Sequence, residues 1–329
     1  MKHDIKSLHL ELSKRCLLAC TKCPRTRNKG QYVIDDLDIN HAITSISIMN
    51  PAIVNLCGNY GDPLYYPKLL ELTQWMHKNN YAFELHTNGS GKKLSWWEEY
   101  YNSYENIKYG KRHKQSVVIF GIDGLSDTHS RYRINTNWYK IIENAKAFIN
   151  AGGNARWDML VFDHNKHQVD ECEQLSKDLG FRSFSKKNSS RFKDGKYHVL
   201  NDSGRTIDIL YPTEKSKSFI SKIEEATSDT NVNINCKSVN NSSLYISATG
   251  NVSPCCWLDV EWIPAVVDNR IQYMDIINDV PNLYKQSLEE IFDSGYFDKI
   301  ASTWNTKDCL KECSKQCGKF DKLGEQFES

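Results

Sequence analysis

The first part of the chain alternates between short apolar runs and longer amphipathic runs. In the longer runs, apolar residues recur every three or four positions, as at Leu69, Leu72 and Met76, which is the spacing of one helix face. The short runs are rich in β-branched and aromatic residues and have the length of strands. Strands that alternate with helices form a parallel sheet with right-handed crossovers, so the pattern predicts an α/β fold. Six strand candidates occur in succession, at residues 7–13, 52–58, 82–88, 116–124, 155–162 and 181–187.

The alternation stops near residue 187. Residues 186–204 are polar and rich in turn-forming residues, which indicates a domain boundary, and we divide the chain into residues 1–190 and 191–329. A repeat of about 30 residues suits either a barrel or a doubly wound sheet, and periodicity alone does not separate the two. The second part predicts mixed structure, with a strand at 205–212, a helix at 214–226, a hairpin at 243–257 and a helix at 287–303.

Composition narrows the classes of partner. The 42 basic and 41 acidic side chains leave a net charge of +1, which gives no electrostatic footprint for nucleic acid and disfavours it as a partner. No apolar stretch reaches the roughly 20 residues that span a bilayer. The N-terminus lacks the apolar core of a signal peptide and leads directly into the first strand. We therefore expect a soluble, cytoplasmic protein with no membrane contact.

The chain has eleven cysteines, and most of them are clustered. In a reducing compartment, clustered cysteines indicate metal binding or redox chemistry rather than disulfides. Cys16, Cys20 and Cys23 form C-x3-C-x2-C directly after the first strand. Three thiolates on one loop can hold three irons of a 4Fe–4S cube and leave the fourth iron open to a small molecule. A zinc site completed by a distant fourth ligand is the alternative.

The wording of this loop, CLLACTKCPR, resembles the signature of the radical S-adenosylmethionine (SAM) superfamily. After the second strand, residues 57–63 resemble the family's Gly-Gly-Glu-Pro loop, with an aspartate in place of the usual glutamate. Residues 86–89 resemble the Thr-Asn-Gly after the third strand, and residues 121–133 resemble the segment that supplies an arginine to the SAM carboxylate. The resemblance implies a partial (β/α)6 TIM-like barrel. The cofactor-binding residues that it implies are Gly58, Asn59, Tyr60, Gly61, Asp62, Thr87, Asn88, Asp123 and Arg133, with Arg131 as second choice for the arginine.

A second cysteine set lies near the C-terminus. Cys236, Gly250 and Cys255 resemble the C-x(9–15)-G-x4-C opening of the SPASM and twitch domains, which hold auxiliary iron–sulfur clusters behind radical SAM barrels. The resemblance implies a small α+β cysteine-rich domain with a second 4Fe–4S cluster, and zinc at this site stays open as an alternative. The ligands that it implies are Cys236, Cys255, Cys313 and Cys317, with Cys309 as a substitute.

Three cysteines stand outside these sets. Cys256 is expected to turn its side chain away from the cluster, and Cys172 to be a small buried residue on a helix. Cys57, beside the predicted SAM loop, is a candidate hydrogen-atom donor to a substrate radical, although packing is the favoured interpretation. The aromatic residues within 95–110 either line a substrate cleft or pack a helix on the barrel, and packing is favoured.

The resemblance implies that a reduced cluster cleaves SAM to a 5′-deoxyadenosyl radical, which abstracts a hydrogen atom from a C–H bond. The substrate class that we favour is a peptide or protein side chain, which would be oxidised or modified. A small-molecule dehydrogenase of the same superfamily and a non-enzymatic iron–sulfur or zinc scaffold are the alternatives. An electron donor such as flavodoxin or ferredoxin is the expected partner. Because the first strand begins so close to Met1, we expect no peptide-recognition domain ahead of the barrel.

Overall fold

The computed structural model describes residues 4–27, 34–105, 115–189, 192, 195–201, 203–227, 233–259 and 278–318. The strands are β1 (Ser7–Leu10), β2 (Ile53–Leu56), β3 (Phe83–Thr87), β4 (Val117–Gly121), β5 (Ala155–Val161), β6 (Ser183–Asn188), β7 (Tyr197–Leu200), β8 (Thr206–Leu210), β9 (Ser243–Ile246) and β10 (Val252–Ser253). The helices are α1 (Pro24–Arg27), α2 (Ile39–Met49), α3 (Leu69–Lys78), α4 (Leu94–Glu105), α5 (His129–Tyr132), α6 (Trp138–Asn150), α7 (Val169–Asp178), α8 (Glu214–Thr227), α9 (Lys237–Asn240), α10 (Leu288–Asp293), α11 (Tyr296–Ser302) and α12 (Lys311–Cys317).

The main sheet is the predicted partial barrel. Strands β1 to β6 pair in chain order and all run parallel, with helices in the connections between them. The predicted (β/α)6 fold class is therefore confirmed, and each of the six strand candidates coincides with one strand. Parallel strands present their carboxyl ends at one edge, which is where α/β folds place their ligands.

The two faces of these strands differ in chemistry. Leu8, Leu10, Val54 and Leu56 are fully buried against the helices. The residues that alternate with them, such as His9, are half-buried and face the inside of the barrel. The inner face therefore keeps polar groups close to the mouth of the barrel.

The C-terminal part continues the barrel sheet rather than packing as a separate layer. Strand β9 lies parallel beside β1, with Tyr245 opposite His9, and β10 pairs antiparallel with β9 at the edge. The predicted hairpin is confirmed, with Gly250 in the turn at a φ of 78°. The predicted single helix at 287–303 is wrong: it is two helices, α10 and α11, because Gly295 between them has a φ of 76°, a left-handed conformation that interrupts a helix.

The polar segment at 186–204 also contains a strand that the sequence analysis left out. Strand β7 pairs antiparallel with β8, and its alternate residues Tyr197 and Val199 are buried. They pack with Tyr132 and Phe162 in a small second core beside Cys20. The hairpin of β7 and β8 therefore covers the first cysteine loop. The predicted domain boundary near residue 190 stays a prediction.

The aromatic segment at 95–110 packs on the barrel as far as it is described, since residues 106–110 lie outside the described ranges. Trp97 and Tyr100 are fully buried, and the Trp97 ring lies 5.2 Å from that of Phe120 and 6.0 Å from that of Phe148. The packing interpretation is confirmed for these two residues. Across the described ranges, every helix is too short or too polar to cross a bilayer.

Candidate functional site

A cavity of about 260 Å³ opens at the carboxyl ends of the barrel strands. Cys16, Cys20 and Cys23 line one part of it. Four successive strand ends, far apart in sequence, thus contribute to one space together with the three thiols. The predicted cofactor-binding residues that line it are Gly58, Asn59, Tyr60, Gly61, Asp62, Thr87, Asn88 and Arg133.

The cysteine loop is held by backbone contacts that do not involve its thiols. The amides of Ala19 and Thr21 donate to the carbonyls of Ile134 and Tyr132, at 3.0 and 3.2 Å. Burial raises the pKa of Cys16 to about 11 and that of Cys20 to about 12. Bound iron would offset this penalty, because coordination deprotonates a thiol. Three soft sulfur donors facing one cavity fit an iron–sulfur cluster.

We call residues 57–62 the SAM loop, after its predicted ligand. Gly58 and Gly61 in this loop lie so close to neighbouring backbone atoms that a side chain does not fit. A Cβ on Gly61 would lie 1.8 Å from the carbonyl oxygen of Ser13, and one on Gly58 would lie 2.4 Å from the carbonyl oxygen of Gly61. The Asp62 amide donates to the Arg15 carbonyl at 2.8 Å. The loop thus lies directly on the backbone that leads into Cys16.

Asp62, predicted to contact SAM, has its carboxylate engaged by the protein. It is 4% exposed and accepts hydrogen bonds from the Leu64 amide at 2.9 Å, the Thr87 hydroxyl at 3.0 Å and the Asn88 amide at 2.7 Å. Burial raises the pKa of Asp62. Asn88 is then oriented so that its side-chain amide donates to the Cys16 sulfur at 3.5 Å. Asp62 therefore ties the second loop to the third.

The two candidate arginines have different partners. The Arg133 guanidinium donates through Nε to Asp123 at 2.7 Å and faces the cavity. Arg131 instead forms a two-pronged ion pair with Asp208 on β8, at 2.7 and 2.8 Å. Asp123 is fully buried, and its other carboxylate oxygen accepts from the Leu160 amide at 2.8 Å. Asp123 therefore lies behind the cavity wall and orients Arg133.

Gly121 makes room for Arg133. A Cβ at Gly121 would lie 2.6 Å from Arg133 Nη2 and 3.0 Å from its Cζ. The guanidinium can move away only by loosening its bond to Asp123. We expect Gly121→Ala to weaken SAM binding about tenfold, equivalent to about 1.4 kcal/mol.

Isothermal titration of SAM into anaerobically reconstituted protein would measure this effect. Arg133→Lys is the comparison, because it keeps the charge and loses the planar guanidinium. Unchanged SAM affinity in Gly121→Ala would show that the position of Arg133 does not matter for binding.

Three polar residues on the inner face of the barrel were not among the predicted site residues. His86, Asp158 and Lys187 also line the cavity. Lys187 lies 3.5 Å from Asp158, which also accepts from Arg156 at 2.7 Å, and Arg156 lies 3.5 Å from Glu84. The signal was available, because strands of a parallel sheet are usually continuously apolar, whereas β5 carries charges at alternate positions.

The second cysteine set also comes together. The Cys236 and Cys317 thiols hydrogen bond to each other, which lowers the pKa of Cys236 to about 6, and the Lys237 amide donates to the Cys317 sulfur at 3.4 Å. Cys255 and Cys313 interact electrostatically with Cys236. The four predicted ligands therefore lie in one neighbourhood, and Cys309 also interacts electrostatically with Cys313.

The remaining cysteines lie elsewhere. Cys256 lies near Tyr245, the residue opposite His9 on β1, and is one of the groups that raise the pKa of the Tyr245 hydroxyl. Cys172 is fully buried on α7, as expected. Cys57 lines the cavity, and its carbonyl oxygen accepts from His9 Nε2 at 2.7 Å. Burial lowers the pKa of His9 to about 4, so this ring is neutral and donates through Nε2.

Glu11 lies beneath the SAM loop and accepts from the Tyr60 amide at 2.7 Å. It is fully buried, and burial together with the Asp259 carboxylate raises the pKa of Glu11 to about 7, against a smaller opposite effect of Lys14. Because this pKa exceeds the ordinary value of 4.5, the folded state holds the proton more tightly than the unfolded chain does. The contribution of Glu11 to stability is therefore largest below about pH 4.5 and declines as the pH rises to about 7.

We expect Glu11→Gln to lose this decline, because glutamine does not titrate. Urea unfolding of both proteins at several pH values between 5.5 and 7.5 would test it, with identical cluster content in each sample. The stability of the wild type relative to the variant should fall across this interval. Parallel pH profiles would contradict a raised pKa at Glu11.

Two of the solved proteins with a similar fold are SuiB and anSMEcpe. SuiB from Streptococcus suis, in the structure bound to precursor peptide SuiA, matches with a TM-score of 0.59 and 14% identity over 95% of this chain and 71% of that one. Native anSMEcpe with bound AdoMet matches with a TM-score of 0.53 and 16% identity over 94% of this chain and 88% of that one. At these identities the likeness shows a shared fold.

Sequence comparison finds a domain match and a curated relative. Residues 236–318 match the model of the SPASM family, an iron–sulfur cluster-binding domain. The antilisterial bacteriocin subtilosin biosynthesis protein AlbA of Bacillus subtilis is 21% identical over 308 residues, which is 88% of this chain. The predicted resemblance to radical SAM proteins with a C-terminal SPASM domain is therefore confirmed. The chain spans 60% of the length of AlbA, a curated relative that it matches.

Proposed function

We propose that this protein is an enzyme that reductively cleaves SAM and uses the resulting 5′-deoxyadenosyl radical to oxidise or modify a peptide or protein side chain. The observation that carries the proposal is the single cavity that joins Cys16, Cys20 and Cys23 to the SAM-loop residues and Arg133. When bound, a reduced 4Fe–4S cluster would supply the electron that cleaves SAM. A small electron-transfer protein such as flavodoxin or ferredoxin is the proposed source of that electron.

The residues around the cavity would bind and orient SAM. Arg133 faces the cavity as a planar cation, which suits the SAM carboxylate. The backbone of the Gly58–Asp62 loop is the proposed site of the amino group. Asp62 and Asp123 hold these groups in place from behind, since both carboxylates are buried and bonded to the protein. This division of roles favours a fixed geometry at the reacting centre.

We propose a second 4Fe–4S cluster on Cys236, Cys255, Cys313 and Cys317. The match of residues 236–318 to an iron–sulfur cluster-binding domain favours a cluster over zinc at these four thiols. Iron and acid-labile sulfide content would test this assignment.

The comparisons support a peptide as substrate. AlbA is described as a bacteriocin biosynthesis protein, SuiB has been solved with a precursor peptide, and anSMEcpe with a bound peptide. The inner face of the barrel agrees with a polar substrate, because His86, Asp158 and Lys187 offer polar groups beside the proposed SAM site.

The test is to reconstitute the protein anaerobically, add dithionite and SAM, and quantify 5′-deoxyadenosine by mass spectrometry. The same reaction is then run with a randomised peptide library and, separately, with a panel of sugars and alcohols. We expect the peptides to increase nucleoside formation and to yield products lighter by two hydrogen atoms if the net reaction is an oxidation. Stimulation by small molecules alone would favour a dehydrogenase, and full iron content without nucleoside under every condition would favour a scaffold.

A further inference from the structure

Four polar side chains connect the SAM loop to the hairpin of β9 and β10 and the turn that follows it, at residues 243–259, which we call the SPASM hairpin. The four residues are Glu11 at the end of β1, Asn59 in the SAM loop, Tyr245 on β9 and Asp259 after β10. Glu11, Tyr245 and Asp259 are 0%, 1% and 1% exposed. We call these four residues the interloop bridge. Three of its members, Glu11, Tyr245 and Asp259, do not line the cavity, and Asn59 is the member that belongs to the SAM loop.

The Tyr245 hydroxyl is the centre of the interloop bridge. It lies 3.0 Å from Glu11 Oε2 and 3.0 Å from Asp259 Oδ2. Asn59 Nδ2 lies 3.2 Å from the same hydroxyl and 3.1 Å from the Cys256 carbonyl oxygen, to which it donates. Glu11 Oε1 accepts from the Tyr60 amide at 2.7 Å. The interloop bridge therefore holds the SAM loop through the Asn59 side chain and through the Tyr60 backbone amide.

Counting hydrogens shows that the interloop bridge holds one proton in common. Tyr245 has a single hydroxyl hydrogen and can donate to only one of its two carboxylate neighbours. The other contact, also at 3.0 Å, is a hydrogen bond only if that carboxyl group carries a proton. Two buried carboxylates this close do not both ionise readily. With one proton between them, both contacts of the Tyr245 hydroxyl to the carboxyl groups are satisfied.

The far end of the interloop bridge belongs to the turn that carries a proposed cluster ligand. The Leu258 amide donates to the Cys255 carbonyl at 3.1 Å, and the Asp259 amide to the Cys256 carbonyl at 3.4 Å. This short 3-10 turn thus connects Cys255 to Asp259 through its backbone. The near end is Asn59, whose side-chain amide contacts the Tyr245 hydroxyl and donates to the Cys256 carbonyl oxygen.

We infer that the interloop bridge is a positioning device through which the SPASM hairpin sets the conformation of the SAM loop. Asn59, Glu11, Tyr245 and Asp259 act as positioning residues, and the readout of their loss is SAM affinity. The inference rests on the proposed function in one respect, that SAM binds at the loop. The mechanical link itself is independent of SAM.

Tyr245→Phe is the decisive variant. It removes the central hydroxyl and keeps the ring, which packs edge-on against His9 with 4.9 Å between centroids. We expect SAM binding about tenfold weaker by isothermal titration, because the loop loses its anchor while the SAM-contacting groups are intact. We also expect faster amide hydrogen exchange across residues 57–62 without SAM. Iron content should equal that of the wild type.

Tyr100→Phe is the matched control. It removes the hydroxyl of another fully buried tyrosine, on α4 at the outside of the barrel, and should change neither SAM affinity nor exchange in the loop. If Tyr245→Phe fails to fold or to take up iron, Asn59→Ala replaces it, because Asn59 is only half-buried and loses the same link. Since Asn59 itself lines the cavity, amide exchange of the loop without SAM is the readout for that variant.

The results separate this inference from the proposed function. A wild-type protein that is fully loaded with iron and binds no SAM would overturn the proposed function, and hydrogen exchange would still decide the link. A Tyr245→Phe variant that is loaded with iron, binds SAM at least as tightly as the wild type and shows unchanged exchange in residues 57–62 would overturn the interloop bridge as a positioning device.

Discussion

Replacing Cys16, Cys20 and Cys23 together with alanine is expected to abolish 5′-deoxyadenosine formation while the protein remains folded. The thiols are the soft donors of the cavity, so without them the proposed cluster loses its ligands. The loop itself should persist, because its backbone is bonded to the segment around Ile134. Iron content should fall by about four atoms per chain, which is one cube, and the iron of the SPASM domain should remain.

Mass spectrometry of the nucleoside, iron analysis and circular dichroism of the same samples test this expectation. Cys172→Ala is the control, because Cys172 is a buried cysteine on α7 that is assigned to neither cluster. It should keep full iron content and full nucleoside formation. A triple variant that still forms nucleoside, or that binds as much iron as the wild type, would contradict the assignment of the first cluster.

Gly61→Ala is expected to remove SAM binding almost completely. The new Cβ would lie 1.8 Å from the Ser13 carbonyl oxygen, 2.6 Å from its carbonyl carbon and 2.8 Å from the Lys14 carbonyl carbon. These are backbone atoms of the segment leading into Cys16, so no side-chain rotation can relieve the overlap. The loop must separate from this segment. We expect SAM affinity to fall by about a hundredfold or more, equivalent to about 3 kcal/mol.

Isothermal titration of SAM and urea unfolding together measure the two consequences of Gly61→Ala. Gly204→Ala is the control: its φ of 81° makes the substitution unfavourable by about 1 kcal/mol, but a Cβ there meets no heavy atom within 4 Å. That variant should lose some stability and no SAM affinity. Normal SAM binding by Gly61→Ala would show that the loop does not need its close approach to Ser13.

The sequence by itself determined the features that depend on local pattern. The six parallel strands follow from apolar runs of strand length separated by helical periodicity, and both signals lie within windows of a few residues. The triad at Cys16, Cys20 and Cys23 was readable for the same reason, since ligand spacing on a single loop is a local property. The C-terminal ligand candidates, spread over residues 236–317, came from the resemblance to SPASM and twitch domains. Helical structure at 287–303 was predicted, but its division into α10 and α11 was not. The sequence alone does not show that Gly295 has a positive φ.

The tertiary structure alone decided the features that depend on distant contacts. Arg133 was the first choice and Arg131 the second from their positions in the sequence, and the structure shows the physical difference: Arg131 pairs with Asp208, whereas Arg133 is bonded to Asp123 and faces the cavity. Tyr245 meets Glu11 across 234 positions because β9 pairs beside β1, and no short window records that neighbour. A local pattern specifies which face of an element is buried. Which buried polar groups meet is set by the order of strands in the sheet, so the link between the two halves of this site emerged only from the fold.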